Sequence, residues 1–511
     1  MAEETTFTPT TAAAIARARQ HSVGDLLRRT ALRYPNKLAV VDGERRMSFA
    51  ELDAAVNRTA NALAARGMAK GDRLALLSHN CWQFAVLTFA TAKLGVVLVP
   101  VNFMLGAEEI AFILEHSGAA GMVTEDRLAP TAKKALAAAG RTGGVRGWIG
   151  LSGAAPDDRW EDVDSWAGAG DPCEPDVLVG DDDPLRLMYT SGTGSRPKGV
   201  MLSSRSLVAQ YVGCVIDGGM SVDDVEAHAL PMYHCAQLDC FFSVDVYLGA
   251  TSVIVRGPDP VVLLEAIERE KVNKLFCPPT VWISLLRCPD FEIRDLSSLR
   301  KGYYGASAMP VEVLRELQRR LPDVQLWNFY DQTEMAPLAT ILQPHEQISH
   351  AGSAGRASIN VETRCVDDDE PVPPGEVGEI VHRSPHAALG YYRDEEKTAA
   401  AFRNGWFHSG DLGVMTEDGY RAVVDRKKDM IKTGGENVAS REVEETIYQL
   451  EGVAEVAVFG IRHPHWIEAV TAVVVPKPGA AVSVEQVQEH VRTHLAGYKR
   501  PKYVVLAGTA A

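Results

Sequence analysis

The chain has 511 residues, of which 46% are hydrophobic and 23% charged, an ordinary composition for a globular protein. This length predicts two or more domains, because single hydrophobic cores stop growing near ~250–300 residues. The formal net charge of −15 argues against nucleic acid or an anionic membrane as a general partner, so local donors must hold any anionic ligand.

The cysteines and the start of the chain bear on the compartment. The eight cysteines contain no C-x-x-C pair, which favours neither a zinc site nor a disulfide framework. The first thirty residues lack a continuous apolar segment, and no run of about 18 apolar residues occurs. We therefore predict a cytoplasmic protein with reduced thiols and no integral membrane segment. Whether it is a monomer or a homodimer stays open.

The first third of the chain alternates strand and helix patterns. LAVVDG (38–43) predicts a strand, and the segment 48–67 predicts an amphipathic helix that starts at a capping box of Ser48 and Glu51. Strands at 73–78 and 96–101 follow, with a helix over 84–95 between them. This alternation favours an α/β fold with parallel-rich sheets.

The pattern of predicted elements changes in the later part of the chain. The acidic stretch 153–176 predicts a surface excursion, and a second βα series is predicted over about 207–340. Glycine-rich hairpins begin at 373, which predicts a β-barrel-like part, and a small α+β pattern follows residue 425. We predict a large N-terminal domain over 1–424 and a small, mobile C-terminal domain over 425–511.

One short stretch, YTSGTGSRPKGV (189–200), carries the clearest chemical signal. Its glycines allow a ligand to approach the backbone closely, and its hydroxyl groups and lysine can converge on a polyanion. The order differs from the Walker pattern G-x-x-x-x-G-K-[ST], because the lysine precedes the last glycine. The stretch predicts a phosphate-binding loop, built from Thr190, Ser191, Gly192, Thr193, Gly194 and Lys198.

Six further motifs occur in order along the chain. They are FATAKLGVVLVPVN (89–102), LPMYHCAQL (230–238), YYGASAMP (303–310), NFYDQTE (328–334), GWFHSGDLG (405–413) and DRKKDMIKTGGENVASREVE (425–444). Together with the loop they resemble the adenylate-forming superfamily, which includes acyl-CoA synthetases, adenylation domains of peptide synthetases and beetle luciferases. The resemblance covers roughly residues 35 to 506.

The resemblance implies an ATP-dependent acyl-CoA ligase with the two-domain fold of that superfamily. A carboxylic acid would be activated as acyl-AMP with release of pyrophosphate, and coenzyme A would then displace AMP. Phosphoryl chemistry of this kind depends on positioning and charge stabilisation. The implied catalytic residues are Thr190, Lys198, His234, Thr333 and Glu334.

The resemblance also assigns ligand-binding roles. The loop 190–198 would hold the β- and γ-phosphates, Thr333 would touch the α-phosphate, and Glu334 would ligate Mg²⁺, which favours carboxylate oxygens. His234 would orient the acyl carboxylate. The other implied binding residues are Gly305, Ala306, Ser307, Asn328 and Tyr330 around adenine, Asp411 and Arg426 at the ribose, Lys428 at the hinge, and Lys432, Gly434, Gly435 and Glu436 facing CoA.

Two departures from the family pattern stand out. Asp331 follows Tyr330 where the family usually has glycine, and it would repel phosphate unless it points away or joins the metal shell. The family also ends in a P-x-x-x-x-G-K segment, whereas this sequence ends at Ala511 before such a lysine. Removing one preorganised charge contact typically costs ~10²–10³ in rate. The expectation is a weak adenylation step and a better preserved thioester step.

The acid and its acceptor are less determined. The neighbours of His234 are apolar apart from Asp239, which we expect to point away or toward solvent because a buried unpaired anion is costly. Further apolar wall is expected from Leu207, Val215, Val244, Tyr303, Tyr304, Gly305 and Met309. This favours a medium- to long-chain fatty acid, with an aryl or arylpropenoic acid second.

Two other readings remain open. The chain could be a nucleotide- or acyl-binding relative with impaired adenylation, or it could deliver acyl-AMP to a carrier protein. Free CoA is the preferred acceptor, since DGGMS (217–221) lies inside the large domain rather than in a carrier module.

Overall fold

The computed structural model describes residues 8–141, 143–153, 155–190, 196–427, 429–433, 436–463 and 466–508. The chain divides into two compact units, a larger one of Met1–Glu362 and Arg383–Phe402 and a smaller one of Thr363–His382 and Arg403–Ala511. The predicted boundary at residue 425 falls inside the smaller unit and stays a prediction.

The described residues form the following helices. They are α1 Pro9–Ala18, α2 Val23–Arg33, α3 Phe49–Ala65, α4 Trp82–Leu94, α5 Ala107–Ser117, α6 Ala129–Ala138, α7 Val163–Gly168, α8 Ser204–Asp217, α9 Ser243–Leu248, α10 Pro260–Glu270, α11 Pro279–Arg287, α12 Val311–Arg320, α13 Glu395–Ala401, α14 Ser440–Tyr448 and α15 Val484–His494. A π-helical segment, Ala236–Phe242, precedes α9.

The strands alternate with these helices through most of the larger unit. The first fourteen are β1 Leu38–Asp42, β2 Arg45–Ser48, β3 Arg73–Leu77, β4 Val97–Pro100, β5 Gly121–Glu125, β6 Val145–Ile149, β7 Glu161–Asp162, β8 Pro184–Thr190, β9 Lys198–Ser203, β10 Val225–His228, β11 Thr251–Ile254, β12 Lys274–Phe276, β13 Lys301–Gly305 and β14 Gln325–Asp331.

The remaining strands belong mostly to the smaller unit. They are β15 Leu338–Leu342, β16 Arg356–Ala357, β17 Glu362–Asp367, β18 Glu370–Pro371, β19 Val377–Arg383, β20 Gly390–Tyr391, β21 Phe402–Arg403, β22 Trp406–Met415, β23 Arg421–Arg426, β24 Ile431–Thr433, β25 Glu436–Val438, β26 Val453–His463, β27 Ile467–Pro476 and β28 Tyr503–Leu506.

Two large sheets organise the larger unit. One has nine strands in the order β16-β15-β14-β13-β12-β10-β11-β1-β2, and its strands are parallel from β14 to β1. The other has eight strands in the order β20-β9-β8-β4-β3-β5-β6-β7, with β8, β9 and β20 paired antiparallel. The predicted α/β fold with parallel-rich sheets is confirmed.

The smaller unit has two further sheets. One contains six strands in the order β18-β17-β19-β22-β21, with β23 paired to β22. The other contains five strands, β25-β24-β27-β26 with β28 beside β27, and α14 and α15 pack on its apolar core.

Local sequence signals account for many of these elements. Helix α3 begins at the predicted capping box, in which the Ser48 hydroxyl accepts from the Glu51 N–H and the Glu51 carboxylate accepts from the Ser48 N–H. The predicted surface excursion over 153–176 is wrong in its middle part. Trp160 and Trp166 are buried there, and Glu161–Gly168 forms β7 and α7, because burying two large aromatic rings outweighs solvation of the acidic neighbours. Within the described parts of the chain, every helix is too short or too polar to span a lipid bilayer.

Candidate active site

The candidate residues that follow β10, β13 and β14 lie at one edge of the nine-stranded sheet. Strands β10, β13 and β14 run parallel, so the segments that follow His228, Gly305 and Asp331 emerge on the same side. After β10 the chain continues to β11, on one side in the sheet, and after β12 it continues to β13, on the other side. The direction of the connections therefore changes between β10 and β12. Ligand-binding crevices of α/β sheets form at such switch points.

His234 lies in the loop after β10. Part of its side chain is exposed to solvent, but protein atoms lie close around the ring. The resulting desolvation lowers the pKa of the imidazole. Its Nδ1 accepts a 3.2 Å hydrogen bond from the N–H of Ala236, which places the ring proton on Nε2. A neutral imidazole, whose Nε2–H has no partner within the described parts of the chain, can donate to a carboxylate, as the predicted orienting role requires.

Cys235 joins this loop to the segment after β14. Its Sγ lies 3.4 Å from the hydroxyl of Thr333. The structure therefore brings together two motifs that are about a hundred residues apart in the sequence. Thr333 and Glu334 form a short helical turn there, and both are half-buried.

Asn80, which the sequence analysis missed, holds the His234 loop in place. Its side-chain nitrogen donates to the carbonyls of His228, Leu230 and Val255 at 2.8–3.2 Å. Its side-chain oxygen accepts from the Met232 N–H at 2.8 Å. Asn80 is buried in the segment that follows β3. No local pattern in the sequence distinguishes it from a turn residue.

The side chain of Glu334 is held so that one carboxylate oxygen could bind a cation. Its Oε1 accepts a 2.8 Å hydrogen bond from the Tyr391 hydroxyl, and its backbone carbonyl accepts from the Ala388 N–H at 2.8 Å. Over the described residues, no hydrogen bond uses Oε2. A held carboxylate with one available hard oxygen fits Mg²⁺, which usually takes one or two protein carboxylates.

The structure describes the two ends of the predicted phosphate-binding loop. Thr190 ends β8 and Lys198 begins β9, and the two residues are paired across the antiparallel strands. The Lys198 ammonium lies 4.7 Å from the centre of the Tyr391 ring. Ser191, Gly192, Thr193 and Gly194 lie outside the described residues.

The predicted adenine site lies at the ends of β13 and β14. A Cβ at Gly305 would approach the Phe329 carbonyl oxygen to 2.6 Å, so this position requires glycine. Ala306 has a positive φ of 65°, and both it and Ser307 are exposed. Tyr330 is half-buried on the neighbouring strand. Asn328 is buried and donates to the Ser353 carbonyl at 3.0 Å, a contact that holds the strand end.

Asp331 sits where the register of β14 against β15 shifts. It is half-buried, and desolvation raises the pKa of its carboxyl group to about 7. Burial, and secondarily the charge of Asp331, raises the pKa of the Cys235 thiol. Asp331 therefore lies close to the loop that carries His234, and it is partly protonated at neutral pH.

The predicted ribose residues lie in the smaller unit. Asp411 and Arg426 are opposite each other on β22 and β23, with Oδ1 and Nε 3.6 Å apart. Lys432 is exposed on β24, and its N–H donates to Glu468. Glu436 begins β25. Lys428, Gly434 and Gly435 lie outside the described residues.

The structure corrects the expected position of Asp239. This residue is fully buried rather than turned to solvent, and its carboxylate lies 3.6 Å from the equally buried Arg186. The Tyr211 hydroxyl donates to it at 3.2 Å. A buried cation on β8, far away in sequence, thus offsets the cost of the buried anion.

The expected apolar wall divides between two hydrophobic clusters. Leu207, Val244 and Tyr303 belong to one, together with the aromatic side chains of the π-helical segment. Tyr304 and Met309 belong to the other, because successive residues of β13 point to opposite faces of the sheet. Gly305 ends this strand, and Val215 packs against the first cluster.

A second buried charged cluster lies behind the His234 loop. Glu226, His228 and Asp245 have ligand atoms within 4.8 Å of one another, but the Lys274 ammonium is 2.8 Å from Glu226 and also contacts Asp245. The lysine already supplies a cation, so this cluster is a structural ion network.

Comparison with known proteins identifies the family. The profile described as AMP-binding enzyme matches residues 27–392, and that of the AMP-binding enzyme C-terminal domain matches 442–510. Feruloyl-CoA synthase from Amycolatopsis sp is 38% identical over 488 residues, covering 95% of each chain. A long-chain-fatty-acid–CoA ligase from Mycobacterium tuberculosis is 34% identical, covering 95% of this chain and 94% of the relative. The structure of ATP-bound MatB from Rhodopseudomonas palustris superposes with a TM-score of 0.86 at 30% identity, over 95% of each chain.

The chain belongs to the family of AMP-binding enzymes. It is an enzyme of the AMP-forming acid–thiol ligase class, as the predicted superfamily implied. The similar proteins include ligases for both aryl and fatty acids, so the preference for a fatty acid is not specifically supported.

Proposed function

We propose that this enzyme joins a carboxylic acid to the thiol of coenzyme A, with ATP as the activating substrate and AMP and pyrophosphate as products. The observation that carries the proposal is the convergence of three side chains at one sheet edge. His234 and Thr333 are linked through Cys235, and Glu334 follows Thr333 directly. Residues 27–392, which include all three, match the AMP-binding enzyme family.

In the first step, a carboxylate oxygen of the acid attacks the α-phosphorus of ATP, and the bond from that phosphorus to pyrophosphate breaks. The Nε2–H of His234 holds the carboxylate, and the Thr333 hydroxyl donates to an α-phosphate oxygen. Lys198 neutralises the outer phosphates. When bound at Glu334, Mg²⁺ supplies further positive charge. Such preorganised charges are commonly the largest contribution to catalysis of this type.

In the second step, the thiolate of CoA attacks the acyl carbon, and the bond to AMP breaks. The thiol proton leaves to solvent. We assign the ribose of the nucleotide to Asp411 and Arg426, and the CoA arm to the segment from Lys432 to Glu436. Lys428 remains the proposed hinge, and the acceptor is free CoA.

For the acid, we propose a compact arylpropenoic acid. Phe241 of the π-helical segment stacks on Phe276 at 4.3 Å and on Phe329 at 5.7 Å, and Tyr303 stacks on Trp327 at 5.0 Å. These buried rings occupy the space between the π-helical segment and the sheet, which supports a short substrate pocket. The similarity to feruloyl-CoA synthase also supports this class. A fatty acid is the second candidate, favoured by the similarity to a long-chain-fatty-acid–CoA ligase.

The test is a panel of acids assayed for pyrophosphate release and for the mass of the CoA thioester. Ferulate and cinnamate should give kcat/KM values at least ~10-fold above octanoate and palmitate, since one misfitted group costs about 1–3 kcal/mol in a pocket. Glu334→Gln serves as the control that ties the product to this site.

Different results of this assay distinguish the alternative substrates, acceptors and functions. Faster reaction with the fatty acids would replace the arylpropenoic proposal with the second candidate. Adenylate formation without gain from CoA would favour delivery to a carrier protein. Background release with every acid, despite ATP binding, would favour a binding relative.

A further inference from the structure

Tyr391 contacts two charged residues of the proposed site at once. Its hydroxyl donates to Oε1 of Glu334 at 2.8 Å, and the face of its ring lies 4.7 Å from the ammonium of Lys198. The side chain is only 6% exposed. None of the motifs that identify the family in the sequence includes this tyrosine.

Several independent contacts hold Tyr391 against both of these residues. Strand β20 pairs with β9, with Tyr391 opposite Val200, and the Tyr392 N–H donates to the Gly199 carbonyl at 2.7 Å. The Tyr391 N–H donates to the Thr398 hydroxyl at 3.0 Å. Since Ala388 also donates to the Glu334 carbonyl, the segment is fixed to both the lysine strand and the glutamate turn.

This arrangement changes what the two charges can do. A lysine and a glutamate on neighbouring segments would ordinarily approach each other and pair. Here the aromatic ring receives the ammonium through a cation–π contact, which is weaker than a desolvated ion pair. The hydroxyl meanwhile occupies one oxygen of the carboxylate and orients the other.

We propose that Tyr391 is a positioning residue that keeps Lys198 and Glu334 apart, so that the lysine stays available for phosphate and Oε2 of the glutamate for the divalent cation. This inference rests on the proposed function, because it assumes that the two residues serve a magnesium-bound nucleotide. Tyr391 itself contacts neither the acid nor the nucleotide. It determines the positions of two residues, Lys198 and Glu334, that bind the nucleotide and its metal ion.

The test is calorimetric titration of the full chain with ATP, at a series of Mg²⁺ concentrations. Tyr391→Phe keeps the ring and its packing and removes only the hydroxyl. We expect the Mg²⁺ concentration that gives half of the magnesium-dependent gain in ATP affinity to rise about tenfold, since a hydrogen bond to a charged group is lost. ATP affinity without Mg²⁺ should change less than twofold. Tyr391→Leu also removes the ring, and it should weaken ATP binding without Mg²⁺ as well.

Tyr392→Phe is the matched control. Its ring packs on His116 with centroids 5.8 Å apart, so its magnesium dependence should equal that of the wild type. A double-variant cycle of Tyr391→Phe with Glu334→Gln should be non-additive in the magnesium midpoint. Thermal unfolding of each variant is recorded to confirm that it is folded.

The outcomes distinguish this inference from the proposed function. An unchanged magnesium midpoint in Tyr391→Phe, or additive effects in the cycle, would overturn the positioning role while leaving the ligase proposal intact. Absence of ATP binding by the wild type at every Mg²⁺ concentration would overturn both.

Discussion

Asp331 illustrates how one residue departs from a family pattern without an obvious charge conflict. The sequence left two options, that it points away from the phosphates or that it joins the metal shell. Desolvation raises the pKa of its carboxyl group to about 7. A carboxyl group that is partly protonated at neutral pH repels phosphate less than an ionised one.

This raised pKa predicts a pH-dependent cost to stability. Between its ordinary value of 3.8 and about 7, the folded protein retains a proton that the unfolded chain has lost, so the free energy of unfolding falls as pH rises through this window. Asp331→Asn removes the titration. In urea unfolding, the free energy of unfolding of the variant relative to that of the wild type should rise by about 2–3 kcal/mol between pH 5 and pH 8. An equal difference at both pH values for Asp331→Asn would contradict the prediction.

Between elements, the buried pair of Arg186 and Asp239 ties β8 to the π-helical segment that follows His234. Burial raises the pKa of Asp239, while Arg186 acts in the opposite direction. Among the described residues, Nε and Nη2 of Arg186 have no hydrogen-bond partner, so the pair is imperfectly satisfied. Imperfect buried pairs are costly to break and need not be stabilising overall.

Removing one member of this pair should therefore cost more than replacing both. Asp239→Ala leaves an uncompensated buried guanidinium and should lower the free energy of unfolding by about 3–5 kcal/mol. The double variant Arg186→Leu with Asp239→Leu should lose less than that single variant. Urea unfolding of the three proteins measures both values. A loss below about 1 kcal/mol for Asp239→Ala would mean that the pair carries little of the local stability.

On the scale of the whole molecule, a chain of net charge −15 is proposed to bind a polyanionic nucleotide. Local donors and the cation must then overcome the general field. Because a ligand that binds only the folded state stabilises it, ATP with Mg²⁺ at about 100 times its Kd should add about 2.7 kcal/mol to the free energy of unfolding.

Thermal unfolding with ATP, AMP and GTP tests this expectation. ATP and AMP should raise the midpoint, and GTP should raise it less, since the site at the ends of β13 and β14 is predicted to bind adenine. Lys198→Ala should reduce the shift with ATP more than the shift with AMP, which lacks the outer phosphates. Equal shifts for all three nucleotides in the wild type would argue against a specific adenine site.

The amino-acid sequence by itself determined the alternating elements, the superfamily and the identity of most candidate residues. The capping box at Ser48 is a local requirement, and His234, Thr333 and Glu334 lie in short motifs whose residue types indicate their chemistry. Periodicity and motif content depend on neighbours in the chain, so one sequence carries them.

Only the tertiary structure decided which distant residues meet. Asp239 was expected to face away or toward solvent because a buried unpaired anion is costly, whereas the fold pairs it with Arg186 on β8. Tyr391 meets Glu334 only because β20 joins the edge of β9. Tyr303 and Tyr304 separate onto opposite faces once β13 takes its place in the sheet. These contacts depend on strand order and on packing across the sheets, and local sequence patterns do not encode either.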